Sequence, residues 1–243
     1  MKLNRDQIKF IAIITMTFNH IAHGLMTSGT LLYEVFEDIG YFTAVTMCYF
    51  LVEGYHHTRD LKKYAIRLFV FGVIAEVPFL ISQGFMEVGF YQPDILFTLL
   101  ICLGILCVMN SGIQMWMKIL IITVLVVLSL PCDWSFMLPL MTVLFEKSNG
   151  EHRRIAASYG IITLVFFVLN YASYLSRGMI PALFHAGGTV IGILVSGAMV
   201  IGFYSGEKGT HLAKFNRWFF YVYYPAHLAV IAFLRMYGIG GAA

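Results

Sequence analysis

Five ionisable side chains stand where the surrounding sequence is apolar, and each needs a structural partner or a chemical task. His20 follows Asn19, with His23 one helical turn later; Glu53 closes a second apolar stretch; Arg67 opens a third, which carries Glu76 just before Pro78; His227 lies in the last, after Tyr224 and Pro225. Near a bilayer centre such groups cost about 2.5 to 3.5 kcal/mol on insertion scales. An imidazole exchanges its proton near neutral pH, so His20 suits a general base that deprotonates an attacking amine or hydroxyl. The plain alternative is a histidine hydrogen-bonded across a helix bundle. Asn19 is its neighbour in sequence, and i, i+1 residues do not share a helix face, so Asn19 is not expected to hold the ring. His20 and His23 do share a face, but two histidines without a nearby carboxylate make a weak metal pair, and no metal is expected. Arg67 is too far from Glu76 to pair with it, nine residues or about 13 Å along a helix. Glu76 therefore needs a partner from another helix, with His20 and His227 as candidates. His227 sits where Pro225 opens the backbone ladder, a common way to shape a cavity in a membrane helix. Glu76 and His227 read equally well as structure or as site.

The segment from Glu53 to Lys63, with His56, His57, Arg59 and Lys62, continues to Tyr64 and Arg67. Its cations fit a mouth for a polyanionic ligand, with Arg and Lys on phosphates and an aromatic for stacking. They fit equally the enrichment of Lys and Arg in cytoplasmic loops.

These groups must be positioned by membrane helices. Of the 243 residues 59% are hydrophobic and 12% charged, and the mean hydropathy is +0.79. A soluble domain carries about twice that charge. A net charge of +3 with no long basic run excludes a nucleic-acid partner. Nine apolar segments emerge, Ile8 to Met26, Ile39 to Tyr55, Tyr64 to Ser82, Ile95 to Met109, Met115 to Leu130, Trp134 to Phe145, Ile155 to Tyr174, Leu183 to Tyr204 and Trp218 to Tyr237. The sixth is short and contains Pro139. Counting it as a crossing puts all but Arg177 and Arg235 of the 16 Lys and Arg residues on the side of the N-terminus, the cytoplasmic side by the positive-inside rule. The expectation is an all-α polytopic transmembrane bundle of about nine spans, a single domain over residues 1–243, N-terminus cytoplasmic. The loops are too short for a soluble catalytic module. Cys48, Cys102 and Cys107 lie in apolar segments without CxxC spacing, and Cys132 has no evident partner, so no disulfide framework is implied.

Three blocks carry a resemblance: Ile11 through His20; Phe50 through Arg59, with its EGYxHT element, running on to Glu76-Val77-Pro78-Phe79; and Tyr221 through Leu228, which contains YYPAH. Together with Phe97-Thr98-Leu99 they resemble the TraX family of membrane proteins over nearly the whole chain. The resemblance implies an integral membrane acetyltransferase of a bacterial cytoplasmic (inner) membrane that takes acetyl from acetyl-CoA. The acceptor would be a pilin N-terminal amine, or a hydroxyl or amine on another peptide, a glycan or a lipid. Carried over by position, His20 becomes the catalytic base, with Glu76 and His227 lining the transfer site. Arg59 and Arg67, together with Glu53, Lys62 and Lys63 of the same segment, would form the acetyl-CoA site, with Asn19, His23 and Tyr224 in support. The family usually places Asp before the histidine, whereas Asn19 stands here and supplies no carboxylate.

Two other functions fit the same residues. A proton-coupled transporter would use His20, Glu76 and His227 as a relay, although no repeat between halves is visible. A non-catalytic partner of a small hydrophobic subunit would need no donor at all.

Overall fold

In the computed structural model, residues 2–87, 89, 91–209 and 213–239 are described. They form nine α-helices: α1 Arg5–Leu25, α2 Leu31–His57, α3 Leu61–Ser82, α4 Ile95–Met109, α5 Met115–Ser129, α6 Met137–Ser148, α7 His152–Tyr174, α8 Met179–Ala198 and α9 Ala213–Met236. The starts follow from local chemistry. Asn4 and Gln7 form a reciprocal capping box at α1, while Thr30, Asp60 and Asp94 accept backbone N–H bonds from the first turns of α2, α3 and α4. A π-helical turn, Met199–Phe203, ends α8.

The helices alternate in direction between two ends of the bundle. At one end, His56 and Asn110 meet Glu146, Tyr204 donates to Glu53, and Leu3 pairs with the backbone around Tyr204. At the other, Asp133 N–H donates to the Pro93 carbonyl, His185 faces Glu34 at 3.5 Å, and Arg235 donates to the Gly24 carbonyl at 3.0 Å. The expected number of spans is corrected. Six helices, α1, α2, α3, α7 with its 3-10 extension, α8 with its π turn, and α9, are long and apolar enough to cross a membrane. Helices α4 and α5 have 15 residues each and α6 has 12. At 1.5 Å per residue they reach only about 22 Å and 18 Å, against a hydrocarbon core of about 30 Å. Hydropathy marked the three segments, but their ends cut them short.

Helices α1, α3 and α8 pack closely along α2 or α9, and a core of Val45, Cys48, Leu106, Leu138, Met141, Ile162, Ile193 and Leu228 joins the bundle. Outward faces remain apolar: on α5 only Ser129 is buried, and Trp116, Ile119, Leu120, Val124 and Val127 are exposed. That suits contact with lipid. At the far end Arg235 forms a two-pronged ion pair with Glu87, both contacts 2.9 Å, and so ties the end of α9 to the α3–α4 connection and to the end of α1. Glu87 is well exposed, so the pair is worth about 1 kcal/mol after solvent screening. Arg235→Ala is expected to lower the thermal midpoint by about 2–4 °C, read by fluorescence-detected unfolding in detergent.

Candidate functional site

A cavity of about 1210 Å³ runs between the two ends of the bundle, lined chiefly by α1, α2, α3, α9 and the starts of α4 and α6. Arg5, Lys9, Arg59, Lys63, Arg67 and Lys208 line one end. His23, Glu37, Gln83, Gln92 and Asp133 line the other. His20 stands between them, one turn and a half from the end of α1.

His20 is held by a partner 207 residues away. Its Nδ1 lies 2.7 Å from His227 Nε2, with the ring centroids 5.0 Å apart and the ring planes within 11° of each other. His227 Nδ1 in turn lies 2.9 Å from the Tyr223 carbonyl. A carbonyl only accepts, so His227 carries its proton on Nδ1 and presents Nε2 as an acceptor. With both rings neutral, His20 must then donate from Nδ1, which leaves the lone pair on its Nε2. No described residue bonds to that nitrogen, and His20 lines the cavity whereas His227 does not. The chain carbonyl–His227–His20 thus fixes one tautomer and leaves a basic nitrogen free at the cavity wall. The Phe79 ring and the Tyr224 ring meet His20 edge-on at 6.5 and 6.2 Å and confine it.

The family model described as TraX protein matches residues 4–235. The chain belongs to the TraX family. A relative named probable fimbrial assembly protein FimC, serogroup H1, from Dichelobacter nodosus, is 30% identical over 243 residues, 95% of each chain. No solved structure matches. Six apolar helices of spanning length and this membership make the chain an integral membrane protein.

In this TraX-family chain the expected site residues divide. His20, Asn19, His23, Arg59, Lys63, Arg67 and Tyr224 line the cavity. Asn19 donates to the Glu37 carbonyl at 3.2 Å and so joins α1 to α2 without touching the His20 ring nitrogens. His23 Nδ1 meets the Tyr33 hydroxyl at 3.0 Å, with Glu37 3.7 Å from its other nitrogen. Glu76, His227, Glu53 and Lys62 fall outside the lining, His227 standing behind His20. Glu76 accepts the Asp94 N–H at 3.2 Å and couples α3 to the start of α4; its neighbours are that backbone amide and the Tyr91 hydroxyl, and neither histidine. Glu53 accepts from the Tyr204 hydroxyl. Lys62 borders a shallow groove with Leu61, Ala65, Leu100, Leu103 and Cys107. Each was expected from its depth or its neighbours in sequence, and depth does not reveal which side of a helix faces the cavity.

Sequence reading missed Arg5, Lys9 and Lys208 as one group, because they belong to α1 and to the α8–α9 connection. Backbone pairing brings them together: Leu3 N–H bonds to the Phe203 carbonyl, Ser205 N–H to the Leu3 carbonyl and Arg5 N–H to the Glu207 carbonyl, at 2.7 to 2.9 Å. It also missed Trp134, whose φ of 57° places a bulky residue in the left-handed region. The strained turn is held by Trp134 stacking on Phe166 at 5.7 Å and by its own N–H bonding to Asp133 Oδ1 at 3.0 Å.

At this end Asp94 is fully buried, with Oδ1 accepting the Leu96 N–H at 2.8 Å and Oδ2 unpartnered. Burial pushes its carboxyl up to about 8. The folded state therefore holds a proton that the unfolded chain releases near pH 4. Stability is full below that and falls as pH rises to about 8. Asp94→Asn keeps the capping oxygen and is expected to flatten the decline of the thermal midpoint over this window; an unchanged slope would show that Asp94 does not cause it.

Proposed function

We propose that this protein is a membrane acyltransferase that moves acetyl from acetyl-CoA to an acceptor amine or hydroxyl, with His20 as general base. The observation that carries the reading is a single cavity whose lining includes both the cation-rich end and the open Nε2 side of His20. The cation-rich end, read as cytoplasmic by the positive-inside rule, receives the donor. Arg59 and Arg67 pair with its phosphates, Lys63 adds positive charge beside them, and the Arg67 guanidinium lies over the Tyr64 and Tyr221 rings, 5.7 Å from each. The opposite end admits the acceptor. The fimbrial assembly relative favours a pilin-like subunit as acceptor; a glycan or lipid headgroup remains the alternative source of the nucleophile. A bacterial inner membrane follows from the same reading.

The reaction balances with the residues present. The acceptor N–H or O–H donates to His20 Nε2 while its nitrogen or oxygen attacks the thioester carbonyl carbon. A bond to carbon forms, the C–S bond breaks, and the imidazolium returns the proton to the leaving CoA sulfur. During that interval the positive charge spreads to His227 through the 2.7 Å bond, and the Tyr223 carbonyl supports it. His227→Phe keeps a ring but removes the acceptor for His20 Nδ1–H, freeing the other tautomer. It is expected to lower kcat by about 10-fold or more with little change in acetyl-CoA affinity.

Acetyl-CoA binding by calorimetry in nanodiscs tests the donor. Binding by the wild type and by His20→Gln, weakened about 10-fold in Arg67→Gln, supports the reading. No affinity at millimolar donor removes it and brings forward a transporter or a non-catalytic partner.

A further inference from the structure

The cations of the basic mouth stand at two depths. Lys9 lies 11 residues below His20 on α1, about 16 Å at 1.5 Å per residue. Arg67 lies 12 residues below Phe79 on α3, about 18 Å, and Phe79 meets the His20 ring. Arg5 is 15 residues below His20, about 22 Å, and Arg59 and Lys208 lie in the connections beyond the helix ends at this face. The deep pair and the outer group all line the cavity.

Both tiers are short of anions. The Lys9 ammonium lies over Phe50 and Phe220, at 5.8 and 5.5 Å, and Arg67 over two tyrosines. Among the described residues neither has an ion pair within 4 Å, and the buried Nε atoms of Arg5 and Arg67 have no hydrogen-bond partner. Three carboxylates stand near them, Asp6 bonded to Asn216 at 3.0 Å, Glu53 to Tyr204 through one oxygen, and Asp60 to Lys63 at 3.0 Å, against six cations in the lining. A mouth with cations in excess of acids, two of whose guanidinium Nε atoms are buried and open, is built for a ligand with several phosphates.

The spacing selects which phosphate goes where. From the inner phosphorus of CoA to the thioester carbonyl the chain runs about fourteen bonds, ~16 Å when extended at ~3.5 Å per three bonds. That matches the rise from Lys9 and Arg67 to His20. We propose that the mouth reads its donor in two tiers, the diphosphate on Lys9 and Arg67 and the terminal 3′-phosphomonoester on Arg5, Arg59 and Lys208. This rests on the acyl-CoA reading and adds to it a second anion site built by the N-terminal residues and the α8–α9 connection.

The test compares CoA with dephospho-CoA, which lacks only the 3′-phosphate, by calorimetry in phosphatidylcholine nanodiscs. The wild type is expected to prefer CoA about tenfold. Arg5→Gln with Lys208→Gln should bring CoA down to the affinity of dephospho-CoA and leave the latter unchanged, whereas Arg67→Gln should weaken both about tenfold. Lys208 is exposed, so Lys208→Gln alone keeps the fold and should give part of the effect. Equal affinity of the wild type for both probes, or an equal loss for both in the double variant, overturns the two tiers while leaving the donor reading in place. Binding of neither probe overturns both. Repeating the titration with phosphatidylglycerol in the disc separates the phosphate sources: unchanged CoA affinity supports a soluble nucleotide, and loss of the CoA preference assigns the outer tier to lipid headgroups.

Discussion

Replacing His20 by glutamine is expected to lower acetyl transfer by about 10²- to 10⁴-fold while leaving acetyl-CoA affinity within about twofold. The glutamine amide can still donate toward His227 Nε2, so the buried partner is not stranded, but it has no nitrogen that takes up a proton at neutral pH. The split between rate and binding is what distinguishes a base from a structural histidine. His20 lies about 16 to 18 Å above the deep cations, so its loss does not reach the phosphates. The check is a radiolabelled transfer assay from acetyl-CoA to a pilin-like peptide, with donor binding measured on the same preparation. Equal losses of rate and binding, or retention of full activity, would exclude His20 from the chemistry. A ping-pong route through acetyl-His20 would show instead as a burst of CoA release without acceptor.

Gly192→Leu is expected to abolish the folded protein, seen as loss of the monodisperse peak in detergent chromatography. A Cβ at Gly192 would press on the Asp38 carbonyl and stand 2.8 Å from the Phe42 nitrogen, both part of the α2 backbone. Gly188, one turn earlier, faces the Asp38 carboxylate just as closely. Small residues four apart let α8 lie directly against α2, as in other membrane helix pairs. Overpacking costs about 1–3 kcal/mol where side chains can yield. Here a backbone would have to move, and α2 carries Glu37, Tyr41, Met47 and Leu51 of the cavity wall. Gly187→Ala is the control: a Cβ there meets nothing within 4 Å, so its folded yield should equal that of the wild type. A similar loss in both variants would mean that the effect does not come from the contact of α8 with α2, since Ala and Leu both favour a helix over Gly.

By itself the sequence determined whatever depends on local composition. Apolar runs of 15 or more residues read as helices. The order of the runs implied an up-and-down bundle with its cations at one end, and His20 stood out as an imidazole in an apolar stretch. The TraX blocks were equally legible, since a motif is a string. Span number was not. Hydropathy is graded along the chain, whereas a crossing needs a length that caps and turns cut short in α4, α5 and α6. Tertiary structure decided which polar groups act together. The pairing of His20 with His227 joins helices 207 residues apart, and only that contact, with the Tyr223 carbonyl behind it, fixes which imidazole nitrogen is free. The same packing turned Glu76 onto the Asp94 amide, gave Glu53 to Tyr204 and brought Arg5, Lys9 and Lys208 to one mouth. A helix exposes every side of itself to its sequence neighbours alike; the cavity-facing side is chosen by the helices packed against the others.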